Sequence, residues 1–167
     1  MNWMRTHRCD IRGAAMADRH YSRRRHGTPQ FVPPGRCVVL MNVDRTALWV
    51  TSWPMFVKRS WCPDAWMCSL FRNESSVLSS DLIVEAVAAT KFAWPDVPTD
   101  GFVTVIDPRK VRSTNPGCCY QKAGWTRLHE RTKGGHVIFQ LRPEDMPEAQ
   151  PWIGFNEQPS LFDMEAA

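Results

Sequence analysis

The segment 102–125 restricts the possible folds of this chain more than any other part of the sequence. Residues 102–106 (FVTVI) form an apolar, largely β-branched run, which predicts a buried strand. The strand should end at Asp107-Pro108, because proline lacks the backbone N–H that the next ladder position needs. A basic loop follows, so the chain leaves the sheet at this point.

A short helix is predicted after that loop, over Cys118–Ala123, and Gly124 ends it. Tyr120 lies on this helix, while Asp107 stands at the carboxyl end of the strand. Open α/β sheets place their binding and catalytic groups at that edge. A simple turn aspartate and a core tyrosine are the alternative interpretation of these two residues.

The rest of the chain predicts a mixed α/β fold. Apolar periodicity and turn residues predict an N-terminal helix ending near Asp18, strands over 36–41, 47–53 and 65–71, and a hairpin of 126–132 with 136–141. They also predict a helix that is capped by the side chain of Ser79 or Ser80 and runs to about Trp94. We expect a single domain over 1–142, followed by a proline-rich, acidic C-terminal tail over 143–167.

Composition excludes several classes of protein. A chain of 167 residues with a hydrophobic fraction of 43% can bury a sizeable core in one domain. It contains no apolar run that approaches a membrane span, and no signal peptide is expected at its N-terminus. The six cysteines are best explained as free thiols of a cytoplasmic protein.

Basic residues cluster around one aromatic pair. Residues 19–26 (RHYSRRRH) are the most basic stretch of the chain, and such stretches are usually solvated loops. His20 and Tyr21 among arginines also suit phosphate contact and base stacking. A second segment, 58–61, again mixes cations with an aromatic residue. The candidate contacts to double-stranded DNA are Arg19, Arg23, Arg24, Arg25, Lys58 and Arg59.

Two motifs carry a family resemblance. The strand, the helix and the motif YQKAGW at 120–125 resemble the C-terminal half of the GNAT acyltransferase superfamily. The Asp-Pro at 107–108, the motif GCCYQKAGW at 117–125 and the segment His20-Tyr21-Ser22 resemble the phage Mu-type Mom DNA-modification proteins, a GNAT-like group. The resemblance implies a GNAT-like mixed sheet flanked by helices, in the order β-β-β-α-β-α-β-β after an N-terminal helix.

The resemblance also implies an activity: conversion of adenine N6 in DNA to a carbamoylmethylated form that blocks restriction enzymes. The residues that match the functional positions of the group are His20, Tyr21, Arg72, Ser80, Asp107 and Tyr120. Asp107 is the candidate general base, because the delocalised amine of adenine is a poor nucleophile. Tyr120 would donate a proton or orient the donor.

The cofactor stays open at this point. His20, Tyr21 and Asp107 would alternatively coordinate a divalent metal such as iron. An acyl-CoA-like donor is the other option, but 72–80 (RNESSVLSS) lacks the glycines with which GNAT enzymes cradle pyrophosphate. Two further hypotheses for function are an acyl-CoA N-acyltransferase with a non-DNA amine acceptor and a DNA-binding module without catalysis.

The tail predicts a partner. Gln158-Pro159-Ser160-Leu161-Phe162 resembles the short motif by which bacterial DNA enzymes bind the replication sliding clamp. Adjacent leucine and phenylalanine side chains on a tail would enter one apolar pocket of the clamp, and glutamine would form hydrogen bonds beside it. A chance match is the alternative for so short a motif.

We therefore expect the full-length protein to bind purified bacterial clamp at roughly tens of micromolar or tighter. Replacing Leu161 and Phe162 together with alanine should abolish this binding, because both apolar anchors are lost. The same double variant should modify short DNA in vitro as the wild type does. Titration calorimetry checks the first expectation, and absence of binding by the wild-type protein would contradict it.

Overall fold

A mixed α/β fold is seen in the computed structural model, which describes residues 1–53 and 59–155. Within these residues a seven-stranded sheet has the order β1-β2-β3-β4-β5-β7-β6 and is flanked by three α-helices. The strands are β1 (Trp3–Thr6), β2 (Arg36–Asn42), β3 (Ala47–Trp53), β4 (Trp66–Asn73), β5 (Phe102–Ile106), β6 (Thr126–Arg131) and β7 (Val137–Leu141). The helices are α1 (Ile11–Asp18), α2 (Ser79–Ala93) and α3 (Cys118–Lys122). The predicted α/β class is confirmed.

The two faces of the sheet bury different side chains because neighbouring strand residues point to opposite sides. Val38 and Leu40 of β2 pack with α2 and α3 in the larger cluster. Val39 and Met41 pack with α1 in the smaller one. Helix α1 therefore covers one face, and α2 with α3 covers the other. None of the helices in the described residues is long and apolar enough to cross a bilayer.

Strands β4 and β5 are parallel, and they stay paired over only three residues each. Their pairing joins Trp66 with Phe102 and ends at Cys68 with Thr104. At this point β4 carries a bulge, because Leu70 pairs with Val50 while Cys68 pairs with the next residue of β3. The extra residue turns Cys68 and Leu70 to opposite faces of the sheet. Beyond the bulge the two strands separate.

Most predicted elements are confirmed within one or two residues, and two details are wrong. The N-terminal segment contains strand β1 before the helix, and Asp10 caps α1 by accepting hydrogen bonds from the amides of Arg12 and Gly13. The predicted serine cap of α2 is absent, since the capping position is Leu78 and its side chain cannot accept a hydrogen bond.

Residues 143–155, assigned by the sequence to the tail, lie against the domain. Met146 is buried, and the Gln150 amide donates to the carbonyl of Ala88 in α2 at 3.2 Å. The Ile153 amide donates to the carbonyl of Trp3 at 2.8 Å. The packed part of the chain thus continues past residue 142. The clamp-motif residues Gln158, Leu161 and Phe162 lie outside the described residues.

Gly117 provides a test of how α3 is positioned. Its backbone has φ +88°, and an added Cβ would overlap the buried ring of Phe139 and meet Ile106 at 3.0 Å. We expect Gly117→Ala to lower the free energy of unfolding by about 3 kcal/mol, from left-handed strain plus overpacking. Gly135 has φ +80° with no atom within 4 Å of such a Cβ. The matched variant Gly135→Ala should cost only about 1 kcal/mol. Urea unfolding measures both, and equal losses would contradict the packing argument.

Candidate active site

A cleft of about 840 Å³ opens where β4 and β5 separate. The bulged part of β4, the end of β5, the start of α3 and the loop after α1 line it. Four of the predicted catalytic residues meet here, although they come from three distant parts of the chain: His20, Tyr21, Asp107 and Tyr120. Most of the exposed lining is apolar, and Arg24 and Lys110 add positive charge to it.

Asp107 lies at the carboxyl end of β5 with its carboxylate held by Arg109. The Nε of Arg109 donates to Oδ1 at 2.8 Å, and Nη2 donates to Oδ2 at 3.0 Å. The Arg109 backbone amide also donates to Oδ1, at 3.1 Å. The Asp107 side chain is 8% exposed, whereas that of Arg109 is 70% exposed. An accessible arginine thus covers an inaccessible carboxylate.

This ion pair determines the basicity of Asp107. The Arg109 guanidinium and amide lower the pKa of the carboxyl to about 2. A general base works best when its pKa lies near the operating pH, so the paired carboxylate is a weak one. Both of its oxygens are also occupied. Asp107 would accept a proton efficiently only after Arg109 has moved away.

Tyr120 forms part of the inner wall of the cleft. Its hydroxyl oxygen lies 3.4 Å from the Sγ of Cys68, and the residue is buried. Burial raises the pKa of the Tyr120 hydroxyl well above its ordinary value, and it raises the pKa of the Cys68 thiol to about 12. Both groups therefore keep their protons at neutral pH. Tyr120 is therefore a hydrogen-bonding group at the wall of the cleft, and it is not a base.

His20 and Tyr21 form a stacked pair at the cleft, with ring centroids 4.5 Å apart. Burial, together with the charge of Arg72, lowers the pKa of His20 to about 4, so its ring is neutral at pH 7. Its Nδ1 lies 2.7 Å from the Oγ of Ser22. Burial also raises the pKa of Tyr21, against the effect of a backbone hydrogen bond with Asp107. Two uncharged aromatic rings, inclined by 29° to each other, thus line this part of the cleft.

The metal hypothesis does not fit this geometry. Among the residues that the structure describes, no group of three or more His, Cys, Asp or Glu side chains is arranged to hold a metal ion. The only carboxylate of the proposed set, Asp107, has both oxygens paired with Arg109. The two side chains that then remain, His20 and Tyr21, are too few to hold a metal ion by themselves.

Arg72 and Ser80 are not brought into the cleft. Arg72 pairs with Glu74, and its Nη1 donates to the carbonyl of Arg19 at 2.6 Å. Arg72 therefore helps to hold the loop that carries His20 and does not line the cleft. Ser80 lies in the first turn of α2, where its hydroxyl donates to the Asp81 carboxylate at 3.3 Å.

Three of the predicted DNA contacts are occupied inside the protein. Arg19 forms a bidentate pair with Glu74, at 2.9 and 2.8 Å. Arg23 is 9% exposed and binds the Asp18 carboxylate and two backbone carbonyls. Arg59 donates to the carbonyl of Ala65, and its Nε and Nη1 are buried without a partner among the described residues. The contacts of Arg19 and Arg23 stabilise the loop in which both arginines lie.

Two of the predicted DNA contacts are free to meet a phosphate. Arg24 and Arg25 are exposed, and within the described parts of the chain they form no side-chain hydrogen bond or ion pair. Arg24 lies at the cleft itself. Lys58 falls outside the residues that the structure describes.

Two residues at the site were missed from the sequence. His136 lines the cleft, and its Nε2 lies 3.7 Å from Oδ2 of Asp107. The antiparallel pairing of Ile106 with Val137 places it there, so the correct hairpin register would have found it. Arg109 was noted only as part of a basic loop. Its position directly after the Asp-Pro, two residues from Asp107, was the available signal.

Comparison with known proteins adds no relative: no protein-family model, curated protein or solved structure matches this chain. The resemblance to the Mom-like group thus stays a prediction that depends on its motif residues. What bears on function is the geometry of the cleft.

The Asp107 ion pair predicts a pH dependence of stability. A carboxyl whose pKa falls from 3.8 to about 2 on folding stabilises the protein fully above pH 3.8, and this contribution disappears as the pH falls toward 2. Asp107→Asn should therefore be less stable than wild type at pH 6, with a difference that shrinks between pH 4 and 2. Urea unfolding across this range measures it. Asp44→Asn, at an exposed turn, is the control and should track the wild type. A constant difference would contradict the ion-pair argument.

Proposed function

We propose that this protein is a GNAT-like DNA-modification enzyme of phage or prophage type, which transfers a small acyl or carbamoylmethyl-type group to adenine N6. The observation that carries the proposal is the convergence of His20, Tyr21, Asp107 and Tyr120 on one cleft. The sequence motifs alone point to each of these four residues. Residues as far apart as Tyr21 and Tyr120 do not meet in a cleft by local chain geometry.

The order of the elements supports the GNAT-like assignment. After β1 and α1, the chain runs β2-β3-β4-α2-β5-α3-β6-β7, which is the β-β-β-α-β-α-β-β order that the resemblance implies. The cleft lies at the carboxyl ends of β4 and β5, the parallel pair. Ligands of open α/β sheets bind at such an edge.

The cleft suits an extruded adenine. Its volume of about 840 Å³ is in the upper part of the range for small-molecule sites, which leaves room for a base and a small donor. A base inside a duplex must first be swung out, and enzymes hold such bases by stacking on aromatic side chains. The His20–Tyr21 pair offers that surface. Arg24, Arg25 and Lys110 would contact phosphates around the extruded nucleotide.

The transfer step uses an activated acyl or carbamoylmethyl donor that carries a leaving group. Adenine N6 attacks the electrophilic carbon of the donor, the new N–C bond forms, and the leaving group departs with its electron pair. Asp107 accepts the proton that N6 loses. Tyr120 keeps its own proton and donates a hydrogen bond that orients the donor. The product is a substituted adenine that restriction enzymes no longer recognise. The bacterial cytoplasm, where host enzymes meet phage DNA, is the proposed location.

Nucleoside mass spectrometry tests this function. DNA from cells expressing the wild-type protein should contain a deoxyadenosine of increased mass. Asp107→Asn should remove this product almost completely, because the amide keeps the shape of the side chain and loses its basicity. Asp96→Asn, an exposed acid near the end of α2, is the matched control and should leave the product unchanged.

Other outcomes separate the competing functions. Unmodified DNA from a well-expressed protein that still binds duplex DNA would contradict the transferase and favour a binding module. Unmodified DNA together with turnover of acyl-CoA on small amines would favour an ordinary N-acyltransferase. A variant Asp107→Asn with near wild-type product would show that Asp107 is only a turn residue.

A further inference from the structure

Asp107 presents a conflict between its position and its chemistry. It lies at the edge of the cleft where a general base is needed, yet its carboxylate is held by Arg109 through both oxygens. Arg109 is itself largely exposed, and among the described residues its one further side-chain hydrogen bond, at 3.4 Å, goes to the carbonyl of Gly134. The arginine is therefore held mainly by the carboxylate that it covers.

We propose that Arg109 is a removable cap on Asp107, and that a phosphodiester of bound duplex DNA takes the Arg109 guanidinium and frees the carboxylate. The inference rests on the proposed function, since it makes DNA binding the event that exposes the base. It assigns Arg109 as a positioning residue that acts through Asp107. It also names the ligand of Arg109, a backbone phosphate.

The chemistry of the guanidinium allows this exchange. A guanidinium offers parallel N–H donors that fit a carboxylate and a phosphate equally well, so the two anions compete for one fork. The neighbouring Lys110 is exposed and Arg24 lies at the same cleft, so a phosphate there would meet several cations. Displacement takes the paired cation from a carboxylate of low exposure, and the new charge-assisted hydrogen bonds from Arg109 to the phosphate offset that cost.

Asp107 gains basicity when the cap leaves. The groups that face its carboxylate are Arg109, His136 at 3.7 Å and the nearby Tyr21. Loss of Arg109 removes the largest influence that lowers the pKa of Asp107, while burial, which raises it, remains. The Tyr21 hydroxyl is protonated at neutral pH and supplies no compensating positive charge. The carboxylate is then free to accept a proton from N6.

The capped state has a clear advantage for a chain with an open cleft. A bare carboxylate of low exposure is costly, and Arg109 satisfies both of its oxygens while no substrate is present. The exchange gives the guanidinium a new anion and leaves the carboxylate without its partner, so Asp107 becomes a stronger base only in the complex with DNA.

The carboxyl group can be observed directly. We would label the aspartate carboxyls of the full-length protein with ¹³C and identify the Asp107 resonance by its loss in Asp107→Asn. In the free wild-type protein this resonance should not move between pH 7 and 4, because the pKa is about 2. With a saturating short duplex the resonance should move within this pH range, because loss of the Arg109 pairing should raise the pKa of Asp107 by about two units or more. Fluorescence anisotropy of a labelled duplex establishes saturation independently.

Two variants separate the cap from other effects of DNA. Arg109→Gln should show the raised pKa of Asp107 without DNA, and duplex should add little further change. Arg112→Gln, an exposed arginine of the same loop, should behave as wild type. If duplex binds the wild-type protein and the Asp107 resonance does not move, the cap proposal is wrong, while the proposed function is not affected. The same conclusion follows if the pKa of Asp107 stays near 2 in Arg109→Gln. A wild-type protein that binds no duplex would overturn the proposed function, and this inference with it.

Discussion

The short parallel pairing of β4 with β5 is the constraint on which the site depends. The two strands share three residue pairs, from Trp66–Phe102 to Cys68–Thr104, and the bulge in β4 then carries them apart. Past this point the backbone groups of β4 and β5 do not pair with each other, and they line the cleft instead. Asp107 lies at the end of β5, and the bulge lies in β4. A continuous ladder at this place would leave no room for a ligand, so the chemistry of the cleft follows from an interruption of the sheet.

Ion pairs hold the loop that completes the cleft. The Glu74 carboxylate accepts hydrogen bonds from both Arg19 and Arg72, and these hydrogen bonds lower the pKa of Glu74 to about 2. Asp18 binds Arg23 and the amide of Gly27, which fixes the other end of the same loop. His20 and Tyr21 lie between these anchors. The basic segment 19–26 thus contains two kinds of arginine. Arg19 and Arg23 stabilise the loop, whereas Arg24 and Arg25 stay exposed.

Most of the fold follows from the sequence because strands such as 102–106 and helices such as α2 carry clear apolar periodicity. Asp107 and Tyr120 were also found, since a strand end and the next helix are neighbours. The bulge in β4 was not, because no local residue marks an extra position. The roles of Arg19 and Arg23 depend on partners 55 and 5 residues away, and composition cannot show which cation finds an acid. Strand β1 was missed because four residues give too short a pattern.

The contact of Ile153 with Trp3 has a consequence for the order of folding. The hydrogen bond joins the edge strand β1 to a segment near the end of the described chain, and the aromatic contact of Trp152 with Phe92 of α2 lies beside it. Closing so long a loop is entropically costly, and contacts of this separation form late. During synthesis on the ribosome, the contacts of β1 with the C-terminal segment would therefore form only after that segment has left the ribosome. Until then, part of its edge and of the α2 surface would stay uncovered, open to chaperones.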